Sequence, residues 1–534
     1  MSSLRSPQRL LFVRAALLCA LSLLLALPLL AQDASQVLQL SVAYRTLKNR
    51  VPMDEAKRKL IEELETKART ANNDKKYGEA VKHLSHGLAL MRNQPWTPLH
   101  ALNTALQVKT DRRVFDPGDP VRLKLSQIFT LDDPVPGKVA LALALTQMRD
   151  GARTTVKELK TMPDVTADFS KELTLDAVLP QTDAGNYQLL LTLTPKEGDA
   201  VNKPLSVRIE RNLNAEAELL KKRILAVRSD LEQQRAAASQ TTRNDPTSLL
   251  NALPRADYAA SLIEMINLGA LPLERFNLRG EFIQANQLLD QIVKGEHPLR
   301  AKRGDVHWAY ASAVDNTPQP YRLFIPSQYD AKRKWPLVVA LHGMGGDENS
   351  FFAGYSNGVI KQEAEKRGYL IVCPKGRAPA SMYLGSAERD VLDVLKEVKR
   401  EFSIDEDRVY LMGHSMGGYG TWSVSVNNPD LFAALGPISG GGQPLVTARL
   451  KNIAHVPWIV VHGDKDPTVS VEESRKMVKA GEALGIKIKY IEVPGGDHSN
   501  IVVPAFKDIF DWFDANKRQP ATAKASAKAA GGNQ

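Results

Sequence analysis

The spacing of apolar residues changes several times along the 534-residue chain, and each change predicts a different kind of element. An almost uninterrupted apolar stretch runs from Ala15 to Leu30. Between Val37 and Met91 the pattern is helical, with Tyr77, Ala80, Val81, Leu84, Leu88 and Met91 recurring at separations of three and four. One such unit faintly resembles a tetratricopeptide repeat, but no second copy follows and a solenoid needs several. A helical hairpin is therefore expected over 32–95.

From Trp96 to Asn212 the period falls to two, as in Val121 to Leu125, Lys138 to Leu143, Tyr187 to Leu193 and Ser206 to Ile209. Turn-forming clusters such as Asp116-Pro-Gly-Asp-Pro120 and Thr182-Asp-Ala-Gly185 separate the runs. Short strands at this spacing predict an immunoglobulin-like β-sandwich over 96–212. Helical spacing returns over 213–300: Leu213, Ala217, Leu220, Ile224, Val227 and Leu231 form one stripe, which predicts core packing. Asn244-Asp-Pro246 interrupts it, and further helical segments follow around Tyr258 to Leu268 and Gly280 to Lys294.

Beyond the charged stretch Arg300 to Asp305, short apolar runs alternate with helical patterns up to residue 516. The runs are Tyr321 to Ile325, Leu337 to Leu341, Tyr369 to Cys373, Val409 to Met412, Ala434 to Ile438, Trp458 to His462 and Ile486 to Val493. Continuous runs such as Leu337-Val-Val-Ala-Leu341 fit strands covered on both faces, so a mostly parallel, doubly wound α/β sheet is expected over 301–516. The tail 517–534 is rich in Ala and Lys and lacks large apolar residues, which predicts disorder.

Composition and charge narrow the function. The formal charge is +10, but the first 31 residues carry three arginines and the tail four basic residues without any acid, leaving +3 between them. No concentrated basic surface is implied, and nucleic acid is not expected as a partner. Arg5, Arg9 and Arg14, the apolar stretch and then Ala31 read as an export signal over 1–31, cleaved after Ala31. The competing reading keeps it as an anchor, although Ser22 and Pro28 interrupt the run. Secretion or periplasmic export with no stable membrane span after cleavage is expected. Cys19 falls in this stretch, so Cys373 remains as a lone thiol in a strand and no internal disulfide can form.

The chemistry lies at the ends of the predicted parallel strands. Gly413-His-Ser-Met-Gly417 matches G-x-S-x-G between a strand and a helical run, the setting of a nucleophile elbow, with Ser415 as nucleophile. A serine hydroxyl needs a base, and the base an orienting acid. His462-Gly-Asp-Lys-Asp466 follows the next-to-last strand and offers Asp464 and Asp466. Of the ten histidines, only His498 lies beyond that acid, in a glycine-rich loop after the last strand. Leu341-His-Gly-Met-Gly-Gly346 follows an earlier strand and can supply the Met344 N–H to an oxyanion, paired with the N–H of Met416. No metal-ligand cluster or dinucleotide glycine motif is present in the sequence, so no cofactor is expected.

These motifs, with Tyr321-Arg-Leu-Phe-Ile-Pro326, Asp405-Glu-Asp-Arg-Val-Tyr410, Gly418 and Gly496-Asp-His498, give 305–516 a resemblance to a known group. The region resembles secreted α/β-hydrolase serine esterases of the polyhydroxybutyrate-depolymerase-like and feruloyl-esterase-like kind, also classed as prolyl-oligopeptidase-type peptidases. The resemblance implies a Ser415, Asp466, His498 triad. Loop position agrees on the acid, because Asp466 lies further from the strand than Asp464 and precedes Pro467. The missing disulfides and the large amino-terminal region depart from the group. An exported hydrolase of carboxylic esters, polymer-linked ones among the candidates, is therefore expected. The rivals are a serine peptidase with the same triad and a surface-polymer binding or scaffold protein.

Overall fold

A computed structural model describes residues 34, 36–237, 245–377 and 380–518; the expected export signal and nearly all of the expected disordered tail lie outside the described residues. Helices α1 (36–50), α2 (Glu55–Asn73) and α3 (Tyr77–Met91) come first, followed by the short α4 (Pro98–Ala105). The expected hairpin thus gains a further helix. Asp54 starts α2 by accepting from the Lys57 N–H. Val37 and Tyr44 of α1, Ile61 of α2, and Leu84, Leu88 and Met91 of α3 share one core, and the Tyr44 hydroxyl donates to the Ile61 carbonyl at 2.6 Å.

Strands β1 (Leu106–Thr110), β2 (Val114–Phe115), β3 (Pro120–Gln127), β4 (Lys138–Arg149), β5 (Ala152–Thr166), β6 (Leu173–Val178), β7 (Gly185–Pro195) and β8 (Val201–Ile209) form two sheets, ordered β1-β3-β6 and β2-β8-β7-β4-β5. Every pairing is antiparallel except the short β2·β8. Leu123 and Leu125 of the first sheet and Leu141, Leu143, Leu189 and Leu191 of the second lie in one core, so the sheets face each other through the apolar half of each alternating strand.

Helices α5 (Leu213–Ala237), α6 (Pro246–Leu250), α7 (Pro254–Asn267) and α8 (Leu278–Val293) follow. The whole α5 stripe from Leu213 to Leu231 is buried, in the same core as Tyr258, Phe282, Trp308 and Tyr321. It is core, as its spacing predicts.

The largest sheet contains β9 (Gly304–Ala311), β10 (Pro318–Ile325), β11 (Trp335–Leu341), β12 (Leu370–Pro374), β13 (Ile404–His414), β14 (Ala434–Ile438), β15 (Trp458–Gly463) and β16 (Ile488–Val493). Its order is β16-β15-β14-β13-β11-β12-β10-β9. Strands β11 to β16 run parallel, and β9 and β10 form an antiparallel edge. Leu337, Val339 and Leu341 enter one core while Val338 and Ala340 enter another, so helices cover both faces. Those flanking or following the strands are α9 (Ile360–Arg367), α10 (Ser386–Glu401), α11 (Met416–Asn427), α12 (Pro444–Ala448), α13 (Val471–Glu482) and α14 (Val502–Ala515). This is the expected α/β-hydrolase architecture. Cys373 is a free thiol, fully buried in β12. Among the described residues no helix is long and apolar enough to cross a membrane.

Candidate active site

Strand β13 ends at His414 and α11 begins at Met416, so the chain reverses at Ser415, held at φ 56°, ψ −116°. This backbone region is costly for a residue with a side chain and persists because the surroundings enforce it. The Ser415 N–H donates to the Ile438 carbonyl of β14 at 2.9 Å. The flanking glycines are required by close approach: a Cβ on Gly413 would lie 2.3 Å from the Gly417 carbonyl oxygen, and one on Gly417 would lie 1.8 Å from that of Leu341.

The loops after β13, β15 and β16 bring together three residues far apart in sequence. His498 Nε2 lies 2.9 Å from Ser415 Oγ, and His498 Nδ1 lies 2.7 Å from Asp466 Oδ2. A carboxylate only accepts, so in the neutral ring Nδ1 carries the proton and Nε2 is left to accept from the Ser415 hydroxyl. The other Asp466 oxygen accepts from the N–H groups of Thr468 at 2.8 Å and Val469 at 2.9 Å. Burial by itself would raise the Asp466 pKa, but the bonds from His462 and His498 and the Val469 N–H outweigh it and hold the carboxyl well below its ordinary range. Asp464 has a different place: its Oδ1 accepts from the Gly495 N–H at 2.7 Å, tying the acid loop to the histidine loop.

Two further histidines pack against these groups, and sequence spacing alone does not single them out. His414 is buried; its Nε2 donates to the His498 carbonyl at 2.7 Å and its Nδ1 accepts from the Tyr355 hydroxyl at 2.7 Å. Burial, and then the neighbouring His498, push its pKa down to about 3, so it stays neutral and fixes the backbone of His498. His462 is fully buried, with Nε2 3.0 Å from the Val469 carbonyl and 3.3 Å from Asp466 Oδ2, and Nδ1 2.7 Å from Ser474 Oγ. The sequence signal for both is their position, the first variable residue of G-x-S-x-G and the last apolar-strand position before Gly463.

The loop after β11 passes directly beside the elbow. A Cβ on Gly343 would lie 3.5 Å from the Ser415 Cβ, and the Gly346 N–H closes the turn on the Gly343 carbonyl at 3.1 Å. Met344 lies inside this turn with its side chain packed on the larger core. Met416 is the first residue of α11, where an N–H has no acceptor within the helix. Residues from earlier in the chain brace the loop: Arg275 pairs with Asp347, and His307 Nε2 lies 3.1 Å from buried Glu348. Among the described residues no group of three or more His, Cys, Asp or Glu is placed to hold a metal ion.

Parts of the chain are similar to known proteins. Residues 385–440, which span α10, β13, the elbow and α11, match the prolyl oligopeptidase family. The chain is 32% identical over 147 residues to a bifunctional acetylxylan esterase/xylanase from Neocallimastix patriciarum, covering 27% of this chain and 21% of that protein. It is 25% identical over 186 residues to a probable feruloyl esterase C from Aspergillus oryzae, covering 34% of this chain and 68% of the relative. The chain thus spans about a fifth of the first relative's length and about two thirds of the second's. Among solved structures, a thermostable esterase aligns at a TM-score of 0.38 with 19% identity, over 78% of this chain and 100% of that one. The carboxy-terminal region is similar to the feruloyl-esterase-like and prolyl-oligopeptidase-type α/β hydrolases.

Proposed function

We propose that the protein is a serine hydrolase of carboxylic esters. The observation that carries this reading is the unbroken hydrogen-bonded chain from Ser415 Oγ through the His498 ring to Asp466. Ser415 Oγ attacks the ester carbonyl as His498 Nε2 takes its proton, and the N–H groups of Met344 and Met416 hold the developing oxyanion. The tetrahedral intermediate collapses, the alcohol leaves with the proton returned by His498, and an acyl-Ser415 ester remains. Water, deprotonated by the same imidazole, then releases the acid and restores Ser415. Asp466 keeps the ring in the required tautomer and stabilises the imidazolium.

The esterase names of two relatives favour ester substrates; the prolyl oligopeptidase match over 385–440 favours a second reading, a peptidase with the same residues. Turnover of p-nitrophenyl acetate against peptide p-nitroanilides separates the two. An organophosphonate probe should label Ser415 in the wild-type protein, and labelling elsewhere defeats both readings.

The remaining organisation is part of the proposal. An export signal over 1–31 would deliver the chain to the periplasm or medium. The helical region 32–95, an immunoglobulin-like sandwich over 96–212 and the helical region 213–300 would precede a catalytic domain over 301–516. Polymer-linked esters are among the candidate substrates. If the amino-terminal regions serve only as scaffold, binding to insoluble polysaccharide should be absent from the full chain.

A further inference from the structure

Helix α1 belongs to the amino-terminal region, yet it touches the loop that carries Asp466. The Asn49 side-chain amide donates to the Pro467 carbonyl at 3.1 Å, and the hydroxyls of Thr46 and Thr468 lie 3.2 Å apart. The helix is itself anchored: besides the Tyr44 bond to Ile61, Lys48 pairs with Glu65 at 2.9 Å and Glu62 at 3.5 Å on α2. Its other charged residues, Arg45 and Arg50, are exposed. Burial, with Glu473 adding, raises the Tyr419 phenol to about 12 while Arg45 opposes the shift. The N–H groups of Asn500 and Ser499 hold the Asp497 carboxyl down and Arg50 adds to the effect. The helix therefore lies against the acid loop.

The decisive detail is which peptide Asn49 holds. The Pro467 carbonyl and the Thr468 N–H belong to one planar peptide unit. Asn49 binds its oxygen end, and Asp466 Oδ1 accepts from its N–H end at 2.8 Å. Rotation of this plane would withdraw the N–H from Asp466 and loosen the carboxylate whose other oxygen meets His498. We infer that Thr46 and Asn49 of helix α1 are positioning residues for Asp466, so that the amino-terminal helix is part of the catalytic apparatus. This inference rests on the triad proposed above. The preface then does more than carry the hydrolase domain, because its first described helix fixes the orientation of the acid.

The test compares full-length wild type, Thr46→Val/Asn49→Leu, Thr46→Ser and Ser415→Ala with p-nitrophenyl acetate. Small misplacements of catalytic groups cost up to about 100-fold in rate, so kcat of the double variant should fall about tenfold with KM within about twofold and an unchanged melting temperature. Thr46→Ser, which keeps the hydroxyl, should retain wild-type kcat. An unchanged kcat in the double variant beside an inactive Ser415→Ala overturns the inference and leaves the proposed function standing. A rise in KM with kcat unchanged overturns it too, since the helix would then contact substrate instead. Activity retained in Ser415→Ala removes the reading on which the inference rests. If the double variant melts without cooperativity, Asn49→Ala is judged by the same kcat criterion.

Discussion

In the β4·β7 pair of the five-stranded sheet, buried and half-exposed residues alternate along most of each strand, whereas β11, β12, β14 and β15 of the largest sheet are buried from end to end. The first sheet spends one face on a core and leaves the other for solvent. Those four strands are covered on both faces, so they cannot present a reactive group along their length. The proposed chemistry lies at the carboxyl ends of the sheet's strands, where Ser415, the Asp466 loop and the His498 loop emerge together. Substitutions should therefore divide cleanly. Changes at those strand ends should alter turnover with little effect on folding, and changes between the two sheets of β1 to β8 should do the reverse.

The largest expected effect is on turnover. Ser415→Ala should lower kcat/KM for p-nitrophenyl acetate by about 10⁴-fold or more while leaving the thermal midpoint near wild type. A variant retaining activity within about tenfold of wild type breaks the division at its strongest point. Asp466→Asn should cost about 10⁴-fold in turnover by leaving His498 in the wrong tautomer. Asp464→Asn should act mainly on stability through its bond to Gly495. If folded Asp464→Asn is the inactive one, the two roles are exchanged.

The core between the two sheets of β1 to β8 should respond in the opposite sense. Leu143 is 1% exposed in β4, paired beside Leu191 of β7 in the shared core. Leu143→Ala should destabilise this region by about 2–5 kcal/mol, measured by denaturant unfolding. Turnover below the first transition should stay at the wild-type value. A parallel loss of activity would mean that these two sheets are coupled to the site more tightly than helix α1 alone provides.

How much was legible in sequence follows from the same contrast. Strands with a clear period or a continuous apolar run were readable, and β14 has the boundaries its run predicts, Ala434 to Ile438. Strand β5 was not, because it is exposed on both sides for most of its length and its Ala152–Thr166 sequence carries no alternation. The order elbow, acid, histidine pointed to Ser415, to the Asp464–Asp466 loop and to His498, since each follows its own strand; the choice of Asp466 came from the family resemblance, with its position in the loop agreeing. His414 donating to a main-chain carbonyl 84 positions away, and Asn49 reaching Pro467 across 418, depend on tertiary placement and leave no local pattern. The same holds for Arg275 beside Asp347. Helix α1 also exceeds the hairpin that local spacing suggests.

The smallest effect concerns pH, and it sharpens the contrast through buried charge. Among the described residues β1 to β8 bury no carboxylate, while the hydrolase region buries Glu348, Asp390, Asp393, Glu397 and Glu401. Glu397 on α10 accepts from Arg400 at 2.6 Å, yet burial, reinforced by the nearby Glu401, raises its pKa from 4.5 to about 7 against the pull of Arg400. A folded-state pKa above the unfolded value means that the native protein holds this proton where the unfolded chain has lost it. The stability it contributes is complete below 4.5 and is lost as pH rises towards about 7. Glutamine mimics the protonated acid at every pH. Glu397→Gln should therefore match wild type at acid pH and exceed it at pH ~8 by about 1–3 kcal/mol, since each pKa unit is worth ~1.4 kcal/mol. Denaturant titrations at the two pH values measure this. A variant less stable than wild type at the higher pH would show that the charged Glu397–Arg400 pair outweighs the burial of the carboxylate.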